Sequence, residues 1–273
     1  MIRKKFVYAV ITALLTIGSV QTSYAALVLH LDFENGLSDA SGFGNDAVSV
    51  GSTAITSGGY LGNGLSLNSG LAWLEVADSD SLDISTEITM SAWVNYSGRI
   101  GNNAGIFFKG ALVGQQPDWQ MNLAGGGSNS ALDRAGASIN GTGFATVESA
   151  VRDADPFGQN VWRHIAATYD GSLLSLYLDG VLVETDMHAA PLRQTNSALY
   201  IGNRFRPAGD VGGFQGFLDE LRIYDNALNA SEILALTQPP SPPPVGVSEP
   251  GSLAIIALGI LALLRTRAFS QSV

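Results

Sequence analysis

The chain has 273 residues, with 14 Lys and Arg against 24 Asp and Glu, a net charge of −10 and no cysteine. Such a chain lacks the basic face that displaces counterions from phosphates, which argues against nucleic acid as a partner. Zero cysteines exclude a disulfide framework and any thiolate metal site, so stability must come from the core or from a bound ion.

The chain opens with Arg3, Lys4 and Lys5, followed by an apolar stretch over residues 6–20 and then Ser23 and Ala25 in a small-x-small pattern. This reads as a secretory signal peptide, residues 1–25, cut after Ala25. Its apolar stretch of about 15 residues falls short of the ~20 needed to span a bilayer.

Residues 26–237 read as one all-β domain. "LVLHLDFE" alternates Leu27, Leu29, Leu31 and Phe33 against Val28, His30, Asp32 and Glu34. The loop "DASGFGNDA" follows. "EITMSAWVNY" places Ile88, Met90, Ala92 and Val94 on one face, and Thr89, Ser91, Trp93 and Asn95 on the other. In "VWRHIAATYDGSLLSLYLDGVLVE", Asp170-Gly171 and Asp179-Gly180 separate alternating runs, a hairpin signal. "ALYIGN" and "GFQGFLDELRIYD" supply the last strands. Asn229 and Glu232 form a capping box before an apolar run, which predicts one short helix clasping a sheet edge. Many short strands with one small helix imply a two-sheet sandwich or jelly roll.

The blocks "LDFENGLSDASGFGNDA", "SLDISTEITMSAWV", "WRHIAATYDGSLLSLYLDG", "LYIGNR" and "FLDELRIYDNALNASEI" resemble the concanavalin A-like, laminin-G-like (LamG-like) jelly-roll family, in family order. The resemblance implies an all-β, two-sheet antiparallel sandwich. It leaves function open, because that sandwich hosts lectins, adhesion modules and hydrolases.

After the body, residues 238–247 ("QPPSPPPVGV") form a proline-rich linker, extended and semi-rigid. Residues 248–273 then present Ser248-Glu249-Pro250, a short apolar run and the basic pair Arg265 and Arg267. This set resembles the PEP-CTERM sorting signal of Gram-negative bacteria, with Ser248 where the motif usually has proline. The resemblance implies export through the inner membrane, transient anchoring there by the apolar helix, and cleavage by an exosortase. The product would reside at the cell surface or in the extracellular matrix; an uncut chain would stay membrane-anchored, facing the periplasm.

Two sets of residues are candidates for sites. In "GFLDELRIYD" alternation puts Asp219 on the apolar face with Phe217, Leu221 and Ile223, with Glu220, Arg222 and Tyr224 opposite. A carboxylate there needs a cation or backbone N–H groups in a bend; the alternative is a register shifted by one residue. Oxygen ligands without His or Cys suit Ca2+, and the LamG-like resemblance implies a structural calcium between the first and last strands. The candidate ligands are Asp32, Glu34, Asn45 and Asp219. An EF-hand is excluded over residues 78–87, where Leu82 and Asp83 occupy ligand and glycine positions.

The second set is a sugar-binding face of Trp93, Asn95, Gln120, Asn122 and Tyr177, where rings stack on C–H faces and amides bond hydroxyls. Arg204 would reach an acidic sugar. The alternative for Trp93 is packing beneath the glycine-rich loop over residues 125–130. No carboxylate pair with glucanase spacing occurs, and no nucleophile, phosphate-loop or metalloprotease motif. The expectation is a secreted, non-catalytic, calcium-stabilised module binding glycan or protein in the matrix. A polysaccharide hydrolase or lyase, and a structural matrix protein without specific ligand, are the alternatives.

Overall fold

The computed structural model describes residues 25–101, 103–110, 117–124, 130–140, 144–148, 157–187, 191–205 and 211–239. The signal segment before residue 25, the sorting motif Ser248-Glu249-Pro250 and the basic pair Arg265 and Arg267 lie outside the described residues. The chain divides into two units, Met1–Thr237 and Gln238–Val273.

Among the described residues alternation becomes fourteen strands: β1 (Leu27–Leu31), β2 (Ala47–Thr56), β3 (Gly64–Val76), β4 (Ile88–Ile100), β5 (Asn103–Lys109), β6 (Trp119–Ala124), β7 (Arg134–Asn140), β8 (Phe144–Glu148), β9 (Trp162–Tyr169), β10 (Leu173–Leu178), β11 (Val181–Met187), β12 (Leu199–Ile201), β13 (Asn203–Phe205) and β14 (Val211–Tyr224). Their order is β11-β10-β9-β4-β14-β3-β12-β5-β6-β7-β8, with β1 and β13 added to β14 and β2 to β3. Described pairings are antiparallel throughout. The path folds back on itself: β7 and β8 lie against β10, and β8 also against β11. The result is the expected jelly-roll sandwich, with β11 to β14 of this order as the first sheet and β3 to β8 as the second.

The core fills the space between the sheets. Ile88, Met90, Ala92 and Val94 are fully buried in it, as are Leu174 and Leu176. Facing them are Leu74, Phe107, Trp119, Met121 and Ile139 of the second sheet. At the β10–β11 turn Asp179 and Gly180 both have positive φ, 51° and 81°. That is the twist a two-residue hairpin requires.

The helix α1 (Ala230–Leu236) starts where its capping box predicts. Asn229 accepts from the backbone of Ser231 and Glu232, and Glu232 bonds back to the Asn229 N–H at 2.8 Å. Ile233 and Leu228 pack on Ala166 and Tyr177, so α1 covers the outer face of β9 and β10 near the β11 edge.

One register differs from the sequence expectation. Asp219 pairs with Trp93, but the next paired residue of β14 is Arg222, opposite Ser91. One extra residue is accommodated by a bulge at Glu220, whose φ is 52°. The core face therefore runs Leu218, Leu221, Ile223. Asp219 and Phe217 therefore lie on the outer face with Trp93 and Asn95 rather than in the core, because a one-residue slip moves every preceding side chain to the other side.

Candidate functional site

Asp219 is fully buried even on the outer face. The loop over residues 59–63 covers it, and its carboxylate accepts from the Leu61 N–H at 2.9 Å and its neighbour Glu220 N–H at 2.7 Å. Burial pushes its pKa up to about 7, against the pull of those N–H groups. Glu34 grips the same loop, accepting from the Asn63 N–H at 2.7 Å. A Cβ at Gly62 would stand 2.2 Å from the Glu34 carboxylate, and one at Gly59 2.8 Å from that of Asp219. The glycines are what allow the backbone so close.

The other two candidate ligands are elsewhere. Asp32 accepts from the Glu34 N–H in its own turn. Asn45 is buried and committed: its amide nitrogen bonds the Val28 carbonyl and Ser81, and its oxygen accepts from Ser79. Asn45 is thus a strut between loops, not a partner of Asp219. Among the described residues no three carboxylate or imidazole groups gather as a metal cluster. Of the four candidate ligands, Glu34 and Asp219 hold the same loop, over residues 59–63.

The proposed sugar face is split. Trp93 is 8% exposed and lies under Tyr60, ring on ring at 3.4 Å. Its cover is therefore Tyr60 of the 59–63 loop, while residues 125–129 of the alternative lie outside the described residues. Asn95, half-buried, pairs with Phe217 and Trp162 on neighbouring strands of that sheet. Tyr177 is packed beneath α1. Gln120 and Asn122 do share a face opposite Trp119 and Met121, but on the second sheet. A row across that sheet runs Glu75, Tyr200, Phe108, Gln120, Ser138. Gln120 donates to Ser138 at 2.6 Å, Asn122 approaches Asn103, and all but Glu75 of this row are buried. The two groups thus stand on opposite sides of the sandwich. The Arg204 side chain lies outside the described residues.

Buried charges elsewhere are paired. Lys109, 1% exposed, holds Asp78 at 2.7 Å, Asp83 at 3.3 Å and the Ser197 carbonyl at 2.8 Å. Asp118 meets Arg193 and Thr195; burial still raises its pKa. Asp133 takes Tyr96 and Arg99, and burial, with Asp133 second, raises the Tyr96 pKa. Glu220 takes His30 and Arg222, which hold its pKa low against burial. His164 is fully buried, with Nε2 2.8 Å from the Ser91 hydroxyl and no hydrogen-bond partner on Nδ1. Burial foremost, then Arg222, lowers its pKa to about 4.

One loop that alternation passed over is built with care. Asp39 accepts from the N–H groups of His30, Ser41 and Asn45 and from the Ser41 hydroxyl. These bonds hold its pKa low although burial works the other way. Gly42 and Gly44, at φ 91° and 77°, flank Phe43. Phe43 is 53% exposed and is the one exposed aromatic among the described side chains. The signal was present in "SGFGN": an aromatic between two glycines in a polar loop.

The described residues thus form a two-layer antiparallel jelly roll with one short helix on its outer face. The chain belongs to the concanavalin A-like lectin/glucanases superfamily, whose model matches residues 68–234. No curated protein matches it in sequence. In structure it is similar to domain 4 of AbnA, a GH43 extracellular arabinanase from Geobacillus stearothermophilus solved with arabinotriose. There the TM-score is 0.59 at 22% identity, covering 78% of this chain and 99% of that domain. It is also similar to the binding domain of Paraclostridial Mosquitocidal Protein 1, with a TM-score of 0.58 at 17% identity, covering 78% of this chain and 51% of that one. The binding domain of Botulinum Neurotoxin DC in complex with SialylT gives 0.59 at 14% identity, over 78% and 50%. This chain thus spans about half the length of the toxin domains. At these identities the likeness concerns the fold.

Proposed function

We propose that this is an exported, non-catalytic carbohydrate-binding module. The observation that carries the reading is the fit of the sandwich to a whole domain solved with arabinotriose bound. The electrostatics support binding over catalysis. The buried carboxylates Asp118, Asp133 and Glu220 are each held by a cation, whereas glycoside hydrolysis needs two carboxylates free to face a scissile bond. The signal and sorting segments support delivery to the surface or matrix after an exosortase cut near Glu249-Pro250. The test of function is a glycan array probed with the full chain, together with a depolymerisation assay on the same polysaccharides. Binding without cleavage is expected; cleavage, or no binding to any glycan, refutes the reading. Intact mass of the secreted product tests the sorting step, which predicts loss of the tail.

Calcium enters at Glu34 and Asp219, where a cation would relieve the buried charge of Asp219 and fix the 59–63 loop over Trp93. Ligand linkage predicts that adding Ca2+ to chelator-treated protein raises the melting temperature. An unchanged melting curve for wild type and for Asp219→Asn removes calcium from the account.

A further inference from the structure

The Phe43 loop borders a pocket of about 270 Å3 whose wall includes Phe43, Asp80, Asp83, Ser85, Thr86 and Asp225. We propose that this pocket is the carbohydrate site, taking a single neutral or amino-bearing sugar ring and rejecting uronates and sialates. This rests on the carbohydrate-binding reading and adds its place and its specificity.

Three features carry it. First, the size lies just under the range of small-molecule sites, ~300–1,000 Å3, which suits one ring rather than a run of a chain. Second, the wall combines a ring face with oxygen groups. Phe43 offers the apolar platform on which sugar C–H groups stack. The Asp80 carboxylate and the Ser85 and Thr86 hydroxyls are exposed, and none bonds another described side chain or backbone group. They are free to accept from, and for the hydroxyls donate to, sugar hydroxyls. Asp83 and Asp225 are otherwise engaged, with Lys109 and with the Ala26 N–H at 2.8 Å, and shape the wall instead. Third, the platform is pre-positioned. The four bonds to Asp39 fix the loop, and Asn45 ties its base to Ser79 and Ser81, next to the Asp80 wall. Little ordering remains to be done on binding.

Specificity follows from charge. The wall has three carboxylates and no cationic side chain, so an acidic sugar meets repulsion while a hydroxyl or ammonium finds acceptors.

The test is titration calorimetry on the full chain in a detergent without a sugar headgroup. The probes are arabinotriose, cellotriose, N-acetylated chitotriose and trigalacturonate. Wild type is expected to bind at least one of the first three and not trigalacturonate. Phe43→Ala is expected to weaken that binding about tenfold or more, as truncation of an aromatic anchor does. Asp80→Asn should weaken it several-fold, and both variants should keep the wild-type melting temperature. A positive glycan array with both variants at wild-type affinity, or with trigalacturonate preferred, overturns the pocket and leaves the module's function standing. An array without binding overturns both.

Discussion

Acid should unfold this protein partly through one residue. His164 has a pKa of about 4 in the fold, against 6.5 for the exposed side chain. Below 6.5 the unfolded chain takes up a proton that the folded chain refuses, so stability is whole above that pH and is lost as pH falls towards 4. The gap of about two and a half units corresponds to ~3 kcal/mol, of which roughly 2–3 kcal/mol is gone by about pH 4.5. Other groups add to the pH dependence: Asp39 and Glu220, whose carboxyls are held low in the fold, also lose stability as pH falls, whereas Asp118 and Asp219, raised by burial, gain it. A subtraction isolates the histidine. His164→Gln keeps an amide in reach of the Ser91 hydroxyl and does not titrate. Urea unfolding of both proteins at neutral pH and near pH 4.5 should show wild type losing about 2–3 kcal/mol more than the variant. A difference that stays constant across that range, or an NMR titration of His164 near 6.5, refutes the reasoning.

Lys109→Met keeps the stem but strands Asp78, Asp83 and the Ser197 carbonyl. Breaking a buried pair costs about 3–5 kcal/mol, and the partial exposure of both carboxylates lowers the expectation to ~2–3 kcal/mol in urea unfolding. Tyr60→Ala removes the ring over Trp93. It should cost about 3 kcal/mol and make tryptophan emission more quenchable by acrylamide, while glycan binding is unchanged. Gly180→Ala forces a Cβ to 2.7 Å from Leu234 at φ 81°, and a loss of about 1–2 kcal/mol in thermal unfolding is expected.

What the sequence reveals here is local. The Asn229 capping box, the Asp179-Gly180 hairpin and the alternation of Ile88 to Val94 each involve a few neighbouring residues, and each appears in the fold as read. Asp219 was misplaced because nothing in "FLDELRI" marks a non-glycine residue with positive φ. Glu220 adopts that conformation only with its neighbours β4 and β1 in place, and the bulge then inverts the face of everything before it. Trp93 shows a related limit. Alternation gives the side of the strand, but not that Tyr60, thirty-odd positions earlier, would lie on it. Gln120 and Asn122 were correctly put on one face. Which sheet carries that face is a matter of topology, so joining them to Trp93 combined opposite sides of the sandwich.

The filling of both outer faces bears on where any ligand can sit. The first sheet is closed over Trp93 and Tyr177 by Tyr60 and α1, and the second buries Phe108, Gln120 and Ser138. A sugar entering either face would have to displace a stacked ring or a buried hydrogen bond, at a cost of roughly 1–3 kcal/mol before any contact is made. Loop ends carry no such cost. At the Phe43 loop the polar groups that fix the backbone are turned inward on Asp39, leaving the ring and the Asp80 wall outward. Recognition built on stacking and neutral hydroxyls also depends little on screening. Affinity for a neutral trisaccharide should therefore hold nearly constant from low salt to about 0.5 M, where binding driven by a charged polymer would collapse; a steep salt dependence would point away from this pocket.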